Sequence, residues 1–208
     1  MPRTAHKTDT PHRLTEAGYS LFSLQGYNAT GIQQITDLAG VPKGSFYNHF
    51  ESKEVFAEQI IRNYATLVDS VWLSSMQEAP NDALLAIRQL FKNFTQHHED
   101  AGCQGCLVGN FAAEVSESSP ACRAALASVL CAWHHRLADL ISQAQTAGSV
   151  RADISAQTLS AFFWDAWQGA LLRTKIEHST RPLKDVVATM LNTLFATPSP
   201  NRTTVDNL

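Results

Sequence analysis

Apolar residues along this chain recur every three to four positions and almost nowhere alternate strictly, which is the period of helices rather than strands. Prolines at positions 2, 11, 42, 80, 120, 182, 198 and 200 punctuate the stretches. Thr10-Pro11 reads as a helix start, Leu14, Ala17, Leu21 and Phe22 share one face, and Gly26 ends the helix. Thr30 can cap a short second helix carrying Ile32, Ile35 and Leu38, which Gly40-Val41-Pro42 breaks. A third short helix runs through Phe46 and Tyr47. Ser52 can cap a long fourth helix with Val55, Phe56, Ile60, Tyr64, Leu67, Val71 and Trp72 in register. Asn81 or Asp82 opens a fifth, stopped at Gly102, and a short one follows from Gly105 to Ser116. Ser119-Pro120 starts a long one that Gly148 terminates, Ser155 opens an eighth, and Pro182 a ninth. About nine helices and no strand make the expected fold all-α.

Composition adds limits. The 208 residues are 44% hydrophobic and 17% charged, so a packed core is expected. No apolar run approaches the roughly 18 residues of a membrane span, and the opening Met1-Pro2-Arg3-Thr4-Ala5-His6-Lys7 lacks the apolar core of a secretory signal. A cytoplasmic protein with reduced thiols at Cys103, Cys106, Cys122 and Cys131 is the expectation. No cofactor is expected. The formal net charge of −3 argues against a generic basic binder of nucleic acid. It is unevenly spread. Residues 1–53 carry Lys or Arg at 3, 7, 13, 43 and 53 against Asp or Glu at 9, 16, 37 and 51, so the acid excess lies in the remainder. Arg3, His6, Lys7, His12 and Arg13 make the start locally basic, which suits either a phosphate-following arm or a solvated charge cluster.

Residues Thr30 to Phe50 place two short helices around a glycine-containing turn, as in a helix-turn-helix whose second helix enters the major groove. Spacing alone fits an ordinary helical hairpin equally well. The residues themselves are more specific. Gly40-Val41-Pro42-Lys43-Gly44-Ser45-Phe46-Tyr47-Asn48-His49-Phe50, followed by Glu51-Ser52-Lys53-Glu54, resembles the signature of the TetR family of repressors across about residues 9–60. One departure is Thr36, where that family usually has Ala. The resemblance implies a homodimer on a palindromic double-stranded DNA operator, with DNA-binding helices at the start and a divergent helical region that binds a small-molecule effector. The expected division is 1–53 for DNA binding, 54–197 for sensing and dimerisation, and 198–208 as a flexible tail.

Side-chain chemistry assigns roles within the motif. Thr30, Lys43, Gly44, Ser45, Tyr47, Asn48, His49 and Lys53 are the candidate DNA contacts. Lys43 can reach phosphate or a guanine edge, Asn48 can pair bidentately with adenine, and Gly44 and Ser45 allow close backbone approach. Tyr47 and His49 suit phosphate, and Lys53 lies at a helix start where N–H groups also favour phosphate. Phe46 and Phe50 are expected beneath the recognition helix.

The segment Gly102-Cys103-Gln104-Gly105-Cys106-Leu107-Val108-Gly109-Asn110-Phe111 opens a helix with a cysteine after a glycine-rich break. There the helix dipole and N–H groups favour a thiolate, which reacts with electrophiles and oxidants. With Ala113-Glu114-Val115 following, the segment resembles a TetR subgroup that includes an N-ethylmaleimide-responsive repressor. The resemblance makes Cys106 the electrophile sensor, while related repressors sense acrylate or other small compounds. Lys175 shares a stripe with Trp164, Trp167, Gln168 and Leu171, and either faces the effector or runs to solvent. Trp133, Trp164 and Trp167 either line an effector pocket or fill the core. Cys122 and Cys131 read as small core residues, and Cys103 as a resolving thiol or an inert one. Cys103-x-x-Cys106 is a single pair, short of the two pairs of a structural zinc site. Leu159, Phe162, Phe163, Trp167, Val186, Val187, Met190 and Leu194 are internal core or, as the family resemblance implies, the pairing face of the homodimer. Two other readings remain: a repressor with a reversible apolar ligand, and an enzyme using Cys106 with His134 or His135, for which no oxyanion or triad signature exists.

Overall fold

The computed structural model describes residues 10–79 and 81–197. Arg3, His6 and Lys7 of the basic start and the expected tail from Pro198 onward lie outside the described residues. Among the described residues there are nine α-helices and no strand, as the periodicity predicts. They are α1 (Thr10–Gln25), α2 (Ile32–Ala39), α3 (Lys43–Tyr47), α4 (Lys53–Glu78), α5 (Ala83–Asp100), α6 (Leu107–Val115), α7 (Pro120–Thr146), α8 (Ala156–Glu177) and α9 (Arg181–Thr189). A π-helical turn, Met190–Leu194, closes the series.

The chain divides into two compact units, one of residues 1–70 with 104–131 and one of 71–103 with 132–208. In the first, the apolar stripe of α1 supplies the buried Leu14, Ala17 and Phe22, α2 supplies Ile35 and Ala39, and α4 supplies Phe56, Ile60 and Ile61. Gly18 is small because a Cβ there would lie 2.4 Å from the Phe56 ring. Phe46 is fully buried beneath α3, with ring centroids 5.5 Å from Phe50 and 5.1 Å from Phe56. Both phenylalanines therefore do the supporting work expected of them. The α2 start differs from expectation. Gly31, not Thr30, is the N-cap residue, and the Gln34 side chain accepts its N–H at 2.7 Å. Gly40 then ends α2 in the left-handed region, at φ 62°. The atypical Thr36 is fully buried, and its hydroxyl donates to the Gln33 carbonyl at 3.0 Å, which removes the penalty of a buried hydroxyl.

Caps at other helix starts follow the sequence. Ser52 accepts the Val55 N–H, Asp82 that of Leu85 and Ser155 that of Thr158. In α7, Ser119 accepts the Cys122 N–H and donates its own hydrogen to the Glu54 carboxylate of α4. Cys122 is fully buried, as expected. Cys131 is exposed, which corrects its assignment to the core. Nine residues on from Cys122 is two and a half helical turns, so the two cysteines face opposite ways.

The second unit is organised around aromatic rings. Phe91 of α5 lies 4.1 Å from Phe163 and 5.0 Å from Trp167, both on α8, and Trp133 stacks on Trp164 at 5.7 Å. The Trp164 indole N–H donates to the Trp133 carbonyl at 3.1 Å, so its one polar atom is satisfied. Leu159, Phe163, Trp167 and Met190 are buried here, so the core alternative applies to them and not the pairing face. Phe162, Leu172 and Ile176 of α8 remain 56%, 61% and 71% exposed. The π turn widens the helix end after α9 so that Phe195, whose N–H bonds the Met190 carbonyl at 2.8 Å, buries its ring near Phe163.

His98 on α5 is buried, and burial together with neighbouring His97 pushes its pKa down to about 4. The folded state thus holds it neutral where the unfolded chain, near its ordinary 6.5, binds a proton. Its contribution is fully present above pH 6.5 and is lost as the pH falls toward 4. A depression of this size corresponds to at most about 3 kcal/mol. The His98→Gln protein is expected to lose less stability than wild type across that window, as read by urea melts at a series of pH values.

Candidate functional site

Two clusters of predicted residues fall within the first unit. The first is the helix-turn-helix. Lys43, Gly44, Asn48 and His49 are exposed, Tyr47 is 53% exposed, and Ser45 is half-buried. A Cβ on Gly44 would meet nothing within 4 Å, so the α3 backbone stands open on that side. Pro42 is the N-cap residue of α3, in extended backbone, which sets Lys43 as the first residue of the helix. These six residues share one short turn-and-helix segment, with aromatic packing behind it.

Thr30 and Lys53 sit differently. Thr30 is buried, with its hydroxyl donating to the Gly26 carbonyl at 2.7 Å and accepting from Gln25 at 3.1 Å. The Lys53 ammonium lies 4.0 Å from the Tyr27 ring centroid and donates to the Tyr27 carbonyl at 2.6 Å. Partial burial lowers its pKa, against the opposing pull of Glu114. Both side chains therefore brace the loop between α1 and α2. Arg13, read from the sequence only as arm charge, donates to the Gly40 carbonyl at 3.2 Å and holds the turn after α2.

The second cluster is at the start of α6. Cys106 is its N-cap residue and is buried at 6% exposure. The Tyr64 hydroxyl on α4 donates to Cys106 Sγ at 3.7 Å. Burial, with Cys106 close by, holds the Tyr64 phenol well above its ordinary value, so it is a donor and not a phenolate. The body of α6 meets α1 and the α1–α2 loop directly. The Phe111 ring lies 5.2 Å from Phe22 and 6.0 Å from Tyr27. One turn on, the Glu114 carboxylate accepts the Asn28 N–H at 2.7 Å. Neither Tyr64 nor Glu114 stands out as functional in the sequence. Tyr64 reads as one more apolar-stripe aromatic, and Glu114 only as part of a family segment.

Of the other predicted sensor residues, Trp133, Trp164, Trp167, Gln168 and Lys175 belong to the second unit. The tryptophans are buried, and Gln168 and Lys175 are half-buried. Cys103 lies on a loop of that unit, half-buried and in the left-handed region at φ 59°.

Comparison with known proteins matches residues 14–60 to the family model "Bacterial regulatory proteins, tetR family" and residues 83–190 to "Tetracyclin repressor-like, C-terminal domain". The chain is 35% identical to the HTH-type transcriptional repressor DhaR of Mycobacterium sp. strain GP1, over 91% of this chain and 94% of that protein. It is 32% identical to the HTH-type transcriptional repressor NemR of Escherichia coli K12, over 92% and 96%. The crystal structure of a regulatory protein TetR from Rhodobacter sphaeroides superposes with a TM-score of 0.83 at 32% identity, covering 88% of this chain and 98% of that one.

Gly26 holds the α1–α2 loop at φ 84°, and a Cβ there would lie 2.1 Å from Glu114 Oε1. The Gly26→Ala protein carries about 1–2 kcal/mol of backbone strain and must swing Glu114 off the Asn28 amide. Its Tm is expected to fall by about 3–8 °C, measured by calorimetry.

Proposed function

Because the chain belongs to the tetR family of bacterial regulatory proteins, we propose that it is a repressor released from its operator by chemistry at Cys106. The observation that carries this reading is the seat of Cys106. It stands at the N-cap position of the helix whose other residues, Phe111 and Glu114, hold the head through α1 and the α1–α2 loop. In the proposed ground state, Lys43, Gly44, Ser45, Tyr47, Asn48 and His49 meet the major groove and its phosphates, and Thr30 and Lys53 serve the contact by fixing the loop behind it. The functional division is residues 1–53 for the operator, 54–197 for sensing and pairing, and 198–208 as a tail.

The operator is proposed to be palindromic and the protein a cytoplasmic homodimer. The exposed Phe162, Leu172 and Ile176 of α8, with the half-buried Val186 and Val187 of α9, supply the apolar face for pairing. The effector is an electron-poor alkene or a comparable electrophile. The Cys106 thiolate adds to the β-carbon, a C–S bond forms, and the π pair moves to the α-carbon, which takes a proton from water. The adduct is bulkier than the thiol, so it favours an arrangement with α6 displaced. Release follows only so far as the effector prefers that arrangement to the operator-bound one. The proposed mover is α4, which runs from the head into the rest of the chain. A second reading, a reversible apolar effector met by Trp133, Trp164, Trp167, Gln168 and Lys175, is favoured by the density of rings there. The relatives are transcriptional regulators, which favours regulation over enzymatic use of Cys106.

Operator binding by wild type and Cys106→Ser across a panel of electrophiles tests the reading. Wild type is expected to let go and Cys106→Ser to hold; equal release of both proteins would overturn the thiol switch in favour of the reversible effector. Lys43→Ala is expected to weaken operator binding and, where Lys43 meets phosphate, to reduce the salt dependence of log K by about one, measured by titration at several salt concentrations.

A further inference from the structure

Cys106 stands at the N-cap of α6 but its side chain caps nothing. Its sulfur is met instead by Tyr64, reaching over from α4. The Tyr64 hydroxyl stands beside the start of α6. The same hydroxyl lies 3.7 Å from Cys106 Sγ. A phenol has a single hydrogen. It is directed to the sulfur, with tyrosine as donor and sulfur as acceptor. Tyr64 is only 6% exposed, and its ring stacks on Tyr19 of α1 at 6.1 Å with 23° between planes. The ring is therefore held, and water does not readily replace the hydroxyl.

We propose that Tyr64 is the positioning residue of Cys106, giving the thiolate its hydrogen-bond donor and tying the sulfur to α4. This rests on the reading of Cys106 as the sensing thiol. A donor to sulfur stabilises the thiolate more than the thiol, so the phenol raises the fraction of reactive anion at a given pH. It also makes modification consequential for the contact between α4 and Cys106. A thioether is a weak acceptor, and an adduct occupies the space in front of the sulfur. Once Cys106 is alkylated, the phenol loses its acceptor and is displaced.

The test uses Tyr64→Phe, which keeps the ring and removes the hydroxyl. Labelling of Cys106 by N-ethylmaleimide is followed by peptide mass across a pH series, beside wild type. The variant's profile is expected to move to higher pH, with labelling at neutral pH slowed about five- to tenfold, the effect of losing one such bond. A merely structural role would not shift the pH midpoint, so coincident profiles would overturn the proposal. If Tyr64→Phe does not fold, the wild-type chain grown with 3-fluorotyrosine replaces it. Its more acidic phenol is a stronger donor, so the profile should move to lower pH, and an unmoved or raised profile would overturn the proposal. Operator binding by fully labelled wild-type protein is scored separately. Retained binding there defeats the sensing role of Cys106, whereas coincident pH profiles with intact release defeat only the role of Tyr64.

Discussion

The first unit depends on the way α6 grips the α1–α2 loop. The grip has an apolar part, Phe111 set against Phe22 and Tyr27, and a polar part, the Glu114 carboxylate on the Asn28 amide. The loop can accept the carboxylate only because residue 26 has no Cβ and turns through the left-handed region. Lys53, lying over Tyr27 and bonded to its carbonyl, draws the start of α4 to the same loop. Three helices thus converge on the five residues Gly26 to Thr30, and the helix-turn-helix follows directly after them. Any force applied along α6 arrives there.

Much of this architecture is legible in the sequence because its signals are local. Ser52, Asp82, Ser119 and Ser155 cap the helices that follow them, since a cap bonds an amide only two or three residues away. The Lys43–His49 segment is legible because short motifs keep their own geometry. What escaped depends on distant packing. Tyr64 and Cys106 are 42 residues apart, and Asn28 and Glu114 are 86 apart. The burial of Thr30 and the loop-bracing bond of Lys53 depend on the same convergence. The π turn at Met190–Leu194 also escaped, because its cause is tertiary. Phe195 is drawn into the core, and its carbonyl takes the Arg151 amide at 3.0 Å. His178 ends α8 in the left-handed region at φ 48° without the glycine that usually marks such an ending.

The second unit divides its apolar residues by helical phase. On α8, the side bearing Leu159, Phe163, Trp167 and Leu171 is sealed among rings, while Phe162, Leu172 and Ile176 stand in solvent. A helix apolar on both sides has a second surface to cover, and periodicity alone does not distinguish the side that folds the chain from the side left over. That is why Phe162 and Phe163, adjacent and identical, belong to different classes.

The recognition helix has five residues, Lys43 to Tyr47, followed by Asn48 and His49. So short an element spells a short word. In the proposed operator contact its side chains reach only a few neighbouring base pairs, and a word of that length recurs by chance throughout a genome offering on the order of a million or more competing sites. One head therefore carries too little information to name a single address. Repeating the word at a set spacing multiplies the information without lengthening the helix, and it turns the distance between two heads into part of the message. In the proposed homodimer no letter-reading side chain need change for the protein to fall silent; changing the spacing is enough.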